Sequence, residues 1–301
     1  MKTTKSSNRK LVYSVVLVTI VLLAVLIGYY MFFQSRTEDW TAAIIDQLAT
    51  EAALINQSIA FNITATSILN ASRFEVKYHP STDITVDFYK DLPSKSGKIA
   101  LLRVHGAVRN ESDFVDLFTS EPYDEGKALQ HYVPVYGSQI SHAEFLTPPY
   151  NEYFAIGPTF VGSSMQGRFD SNCVIILMGC NTLNETTMAE ALVSRGAKVV
   201  IGWTNWVELS DTDSSTISLL RYLLAKDPYT VRGAIQRINQ LDHPPFGATL
   251  DYYPHTEEAG DYVVLTRKNE TSSGFVRGFF QIVFMATLAK WKRSRVVNLL
   301  N

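Results

Sequence analysis

The longest apolar run in the chain, LVYSVVLVTIVLLAVLIGYYMFF at residues 11–33, holds neither a charge nor a proline. As a helix it spans roughly 34 Å, enough for a bilayer core of about 30 Å. A cleaved signal peptide has a shorter apolar core and ends on small residues, whereas this run ends on Tyr29, Tyr30, Met31, Phe32 and Phe33. Lys2, Lys5, Arg9 and Lys10 precede it, and Arg36, Glu38 and Asp39 follow. The positive-inside bias therefore predicts a cytoplasmic tail (1–10), an uncleaved transmembrane helix (11–33) and an extracytoplasmic remainder in the cell membrane. The next segment, 34–73, is rich in Ala, Ile, Leu and short polar residues and lacks proline and glycine. It reads as a helix or helical pair, an exposed stalk or flanking layer outside the main core.

From 74 to 272 apolar runs alternate with helical stretches. Strands are expected at ITVDFY (84–89), KIALLRVH (98–105), YFAIGP (153–158), CVIILMG (173–179), KVVIGW (198–203) and DYVVLT (261–266). Several are continuous runs, as expected of strands covered on both faces. Between Cys180 and Lys198, Thr187 and Glu190 have capping-box spacing, MAEALVSR follows and Gly196 marks the stop, which predicts a helix. Further helices are expected over 214–226, before Pro228, and over 230–241, before Pro244 and Pro245. Strand, helix and strand in this order make right-handed crossover units. The expectation is one α/β domain: a mostly parallel sheet with helices on both faces, preceded by the single transmembrane helix. The stretch 119–152 is too long for a simple connection, and reads as a β-hairpin excursion (YVPVYGSQISHAEF, 132–145) or a loop over a site. In the tail, 273–301, the uncharged part from Gly278 to Ala289 covers only about 18 Å, so an amphipathic basic helix suits it better than a second span.

Composition narrows the picture. Net charge is −2 with 19% charged residues, so nothing calls for nucleic acid as a partner. Asn-x-Ser/Thr sequons occur at Asn56, Asn62, Asn70, Asn110, Asn184 and Asn269, all beyond the apolar run, which suits an exported glycoprotein. There are two cysteines, Cys173 and Cys180. Along a strand their Cα atoms would lie about 23 Å apart, against the roughly 4.4–6.8 Å that a disulfide needs. Cys173 then packs as a small hydrophobe, and Cys180 remains a free thiol.

Open parallel sheets bind ligands outside the carboxyl ends of their strands. Two reactive side chains fall at such ends: His105, closing KIALLRVH, and Cys180, closing CVIILMG. A histidine can take the proton of a thiol and return it to a leaving amine. Gly106 would let a substrate carbonyl approach the backbone, and its N–H with that of Cys180 could cradle an oxyanion. The plain alternative is a buried small hydrophobe and an unrelated surface histidine.

RVHGA (103–107), ILMGCNT (176–182) and MAEALVSRGAKVVIGW (188–203) resemble the caspase-fold cysteine peptidases, a clan that includes caspases, gingipains, separases and CHAT-type domains. Within it the chain looks most similar to archaeal caspase-like membrane proteins with a similar LFTSEPY segment (117–123). The resemblance covers roughly 84–266. In this clan a His-Gly at one strand end and a Cys at the next form a catalytic dyad. It implies His105 as general base, Cys180 as nucleophile, Gly106 and Cys180 N–H groups as oxyanion site, a peptide or protein substrate and no cofactor. True caspases carry a longer Gln-Ala-Cys motif, whereas Met178 and Gly179 precede Cys180 here, so aspartate specificity is not implied. Glu208, Asp211 and Asp213 follow the next strand, where the clan often builds its substrate pocket. They would favour a basic side chain, although Asp213 also suits a helix N-cap.

Two other readings compete. One is an inactive peptidase fold that binds partners at the surface. The other is a membrane-anchored glycosyltransferase using Asp211-Thr212-Asp213 as a metal-binding motif, which VELS (207–210) precedes poorly. His131 and His142, in the irregular excursion, are alternative bases. The six histidines show no HExxH or Cys-x-x-Cys spacing, so no metal site is expected. Oligomeric state is not legible in the sequence.

Overall fold

The computed structural model of the chain describes residues 40–110, 112–145, 150–241 and 244–264. Its centre is a six-stranded sheet in the order β10-β9-β8-β3-β1-β2. The strands are β1 (Thr41–Asp46), β2 (Glu75–His79), β3 (Ile99–Arg103), β8 (Val174–Leu177), β9 (Val199–Trp203) and β10 (Leu250–Tyr253). All neighbours pair in parallel except β10, which runs antiparallel to β9. A second, antiparallel sheet is inserted between β3 and β8: β4 (Gly106–Val108), β5 (Val115–Pro122), β6 (Ile140–Glu144) and β7 (Glu152–Ile156), in the order β4-β5-β7-β6.

Alternation along the central strands separates two cores. Ile99 and Leu101, with Val174, Ile176 and Met178, face one side. There they meet α1 (Ile55–Ala71) through Phe61, Ala65 and Leu69, α6 (Leu209–Leu223) through Leu219, Leu220 and Leu223, and α7 (Val231–Leu241) through Val231, Ala234, Ile235 and Ile238. Ala100, Leu102, Ile175 and Leu177 face the other side. They pack on α2 (Val86–Lys90), α3 (Leu92–Ser96), α4 (Pro158–Ser163), α5 (Thr187–Ser194) and the inner face of the second sheet, through Phe154 and Ile156. Both faces being covered explains why β3, β8 and β9 carry unbroken apolar runs.

Several expectations need correction. The segment 34–73 is no stalk in its described part. TAAIID forms β1 between β2 and β3, with Ala42, Ala43, Ile44 and Ile45 fully buried, and α1 covers the sheet. ITVDFY (84–89) is largely the helix α2, whose N-cap Thr85 accepts the Phe88 N–H at 3.1 Å. Its alternating Ile84, Val86 and Phe88 mimic a strand, but Tyr89 is buried with them, and the cap selects the helix. Residues 261–264 form no strand, and 265–266 lie outside the described residues. Of the hairpin expected over 132–145 only Ile140–Glu144 is a strand, β6; Val133–Tyr136 and Gly137–Gln139 are helical turns, as are Glu125–Lys127 and Ala128–Tyr132 before them. The Thr187/Glu190 box is not formed: the Thr187 N–H goes to Glu185 Oε2 at 2.7 Å, and it is Thr186 that donates to Glu190 Oε1. Among the described residues no helix is long and apolar enough to cross a membrane. The expected span (11–33) and tail helix (274–295) lie outside them.

Candidate active site

The chain leaves β1 towards β2 on one side of the sheet, and leaves β3 towards β8 on the other. Such a reversal opens a crevice outside the carboxyl ends of the two strands. Three polar segments meet there: 46–51 after β1, 103–106 after β3, and 179–182 after β8.

The β8 end turns sharply because of its residue types. A Cβ on Gly179 would stand 2.5 Å from the Val104 carbonyl oxygen and 2.9 Å from the Gly106 nitrogen, so only glycine fits. Asn181 has φ +57°, a conformation that asparagine tolerates better than most residues. Its N–H bonds the Asn205 carbonyl at 3.0 Å, while Thr182 Oγ1 donates to the Gly179 carbonyl at 3.1 Å. Cys180 sits between them. Gly106 answers from the start of β4, just past the end of β3, where an added Cβ would fall 2.6 Å from the Cys180 carbonyl oxygen. The Phe118 N–H bonds the His105 carbonyl, and Gly106 is paired with Leu117. Gly106 therefore occupies a non-hydrogen-bonded position of the antiparallel ladder, and its N–H points away from β5, towards the Gly179 turn.

His105 is anchored at both ends. Its backbone N–H bonds Gln47 Oε1 at 3.0 Å, and Gln47 Nε2 in turn reaches the Thr119 carbonyl at 3.3 Å. Its Nε2 lies 2.7 Å from Glu51 Oε1. Phe145 meets the ring edge-on at 4.8 Å and Phe118 tilts against it at 5.7 Å. Cys180 has different company. Its Sγ donates to the Val207 carbonyl at 3.4 Å and accepts the Val207 N–H at 3.5 Å. Burial pushes the thiol above its ordinary pKa, more than the backbone hydrogen bonds bring it down, which favours the neutral thiol over the thiolate. It is not hydrogen-bonded to His105. Trp206, next to Val207, is 50% exposed, and Phe246, 65% exposed, is held nearby by Asn205 Nδ2 on its carbonyl at 2.7 Å.

Beneath the rim lies a buried ion network. Arg103 is fully buried; it grips Asp213 through Nε at 2.8 Å and Nη2 at 3.0 Å, and reaches Asp46 at 2.8 Å and Ser58 at 2.6 Å through Nη1. Burial opposes the guanidinium charge, but the hydrogen bonds and charges of Asp213 and Asp46 overcome it and raise the pKa. Tyr78 donates to Asp46, and its own pKa is pushed up to about 12, first by burial and then by that carboxylate.

This network corrects two expectations. Asp213 is neither a pocket wall nor an N-cap: α6 begins four residues earlier, with Glu208 at its N-cap position, and Asp213 is the partner of Arg103. Within the expected metal motif Asp211-Thr212-Asp213 the Asp213 carboxylate is likewise committed to Arg103, and Thr212 accepts the Trp203 indole N–H and donates to the Met178 carbonyl. Glu208 is exposed, while Asp211 is partly buried in the first turn of α6 with Oδ2 unpartnered. Of the alternative bases, His131 is exposed and His142 stacks on Tyr123 at 4.0 Å; neither touches Cys180. Both cysteines are free, Cys173 fully buried and Cys180 partly so. The sequon residues Asn56, Asn70, Asn110 and Asn184 are exposed and Asn62 is half-buried; Asn269 lies outside the described residues. In the first of these sequons, Ser58 is also explained by its bond to Arg103.

Sequence reasoning missed Asp46, Gln47 and Glu51. The one signal in the sequence is for Asp46, a polar residue that closes the apolar run TAAIID as His105 closes KIALLRVH; nothing comparable marks Gln47 or Glu51. A comparison of the chain with models of protein families finds no match, and neither does a comparison with curated proteins.

Proposed function

We propose that the chain is a caspase-like cysteine endopeptidase, anchored in the cell membrane by residues 11–33 with its main domain extracytoplasmic. Cys180 is the nucleophile and His105 the general base. One observation carries this reading: β3 and β8 are neighbouring parallel strands, and the His105–Gly106 and Gly179–Cys180 segments at their ends touch backbone to backbone. For reaction the thiol turns from Val207 to the imidazole. The Sγ proton passes to His105 as sulfur bonds the scissile carbonyl carbon, and the oxyanion faces the Gly106 and Cys180 N–H groups. Collapse releases the amine, which takes the proton from His105, and water hydrolyses the thioester. Glu208 and Asp211, the carboxylates left at the start of α6, bias the substrate pocket towards basic side chains.

The direct test is a peptide halomethyl ketone on the purified chain. Labelling at Cys180 that disappears in Cys180→Ala and slows in His105→Ala is the expected result. Labelling that survives Cys180→Ala and vanishes in Cys173→Ala identifies a different nucleophile. The neutral thiol bound to Val207 favours a second reading, a peptidase fold retained as a surface binding module. That reading predicts no labelling of the folded chain at either cysteine.

A further inference from the structure

We propose that Glu51 is the positioning carboxylate of His105, so that the rim operates as a Glu51–His105–Cys180 array instead of a two-residue dyad. The role rests on the peptidase reading above. Its first ground is geometric: Oε1 and Nε2 are 2.7 Å apart, at the short end expected of a charge-assisted contact. A carboxylate can only accept, so Nε2 carries the hydrogen, and Nδ1 of the neutral ring holds the lone pair. The acceptor for the thiol proton is thereby specified as Nδ1. The second ground is the company of the ring. Phe145 and Phe118 pack against it, and they can limit its swing without offering a hydrogen bond; among the described residues Glu51 alone supplies the ring with a polar partner.

The third ground is the segment that delivers Glu51. Residues 47–51 form a tight turn directly after β1, closed by the Glu51 N–H on the Leu48 carbonyl at 3.1 Å and by Thr50 Oγ1 on the Gln47 carbonyl at 2.5 Å. Gln47 at its start fixes the backbone of His105, and Glu51 at its end fixes the ring. Asp46, immediately before the turn, is tied to Arg103, two residues before His105. One segment thus holds the end of β3 at three successive levels, the Arg103 guanidinium, the His105 backbone and the His105 ring. Glu51 and His105 side chains are both about one-third exposed, so screening by water weakens the contact as an energy term; its effect is on orientation.

The test uses the full chain, a peptide chloromethyl ketone as probe, and mass-spectrometric labelling rates at Cys180 across pH. Glu51→Ala is expected to slow labelling at neutral pH by about 10-fold or more, part of the gain a general base supplies. It should also move the rate–pH curve towards that of His105→Ala. Glu51→Gln, which keeps an acceptor oxygen, is expected to recover part of the rate. Glu51→Ala and His105→Ala combined should be no slower than His105→Ala alone. A Glu51→Ala curve that coincides with wild type overturns the proposal, as do effects of the two changes that simply multiply. If wild-type Cys180 is not labelled, the peptidase reading falls and the catalytic role falls with it. The imidazole Nε2–H proton resonance of His105, expected in wild type and absent in Glu51→Ala, distinguishes that failure from a failure of the contact itself.

Discussion

Arg103→Leu is the sharpest probe of how the rim is built. Arg103 makes four hydrogen bonds, two to Asp213, one to Asp46 and one to Ser58, and has no solvent exposure. Asp46 is fully buried and Asp213 8% exposed, so the substitution leaves two carboxylates without a counter-charge in the core. Removing one partner of a buried pair costs about 3–5 kcal/mol, most of it the cost of the orphaned charge. Here the upper end applies, because two acids are orphaned at once. With a urea slope of about 2 kcal/mol per molar, the unfolding midpoint should fall by about 2.5 M.

Trp203 gives the signal in that experiment, being 1% exposed with its indole N–H on Thr212. Linkage adds a sign. Without Arg103 the orphaned acids bind protons more readily in the folded chain than in the unfolded one, so the deficit of the variant must shrink as pH falls from 8 to 5. Neutralising them in the same background, with Asp46→Asn and Asp213→Asn, should recover much of the loss. A midpoint within about 0.5 M of wild type, or a deficit that grows as pH falls, refutes the reasoning.

Other consequences can be checked on the same material. Gly179→Ala brings a Cβ to 2.5 Å from the Val104 carbonyl, so the variant should lose about 1–3 kcal/mol in thermal or urea unfolding and label poorly at Cys180. Trp206→Ala and Phe246→Ala remove exposed aromatic surface, the first next to Val207, which holds the thiol, and the second on the segment that Asn205 binds. Each should slow labelling by a peptide reagent by about tenfold while leaving the rate with iodoacetamide unchanged; equal loss with both reagents would assign these residues to the fold and not to peptide binding.

The strands that flank the candidate site were legible because burial on both faces leaves a mark in sequence. KIALLRVH, CVIILMG and KVVIGW are continuous apolar runs, and β3, β8 and β9 lie within them. β1 was not legible as a strand. TAAIID contains two alanines, good helix formers, and no glycine or proline separates it from α1. Only its position between β2 and β3 makes it a strand, and that is tertiary information. The same blindness hid Glu51, whose partner lies 54 positions away in the chain. His105 and Cys180 were nameable because each closes a run. An acid near a helix start such as Asp213 reads as a cap or a pocket wall, while its contact with Arg103 joins residues 110 positions apart and leaves no mark in the sequence.

The resting state of the thiol bears on how the proposed reaction begins. Cys180 donates to the Val207 carbonyl, and burial raises its pKa, so both favour the protonated thiol over a preformed thiolate. A thiol of high pKa supplies little thiolate but a more nucleophilic one, which favours proton transfer to His105 concurrent with attack. Two measurements follow from this. In His105→Ala, alkylation by iodoacetamide should keep rising with pH beyond the ordinary thiol range of about 8.5, as unassisted ionisation of a buried thiol demands. In wild type, labelling by the peptide reagent should be slower in deuterium oxide, because a proton moves in the rate-limiting step. Cys173, fully buried and with its pKa raised by burial, is the internal control and should react only after unfolding. If the His105→Ala curve levels off near neutral pH, or deuterium oxide has no effect on wild type, then the thiolate exists before substrate arrives, and the Val207 contacts are not what the reaction must break.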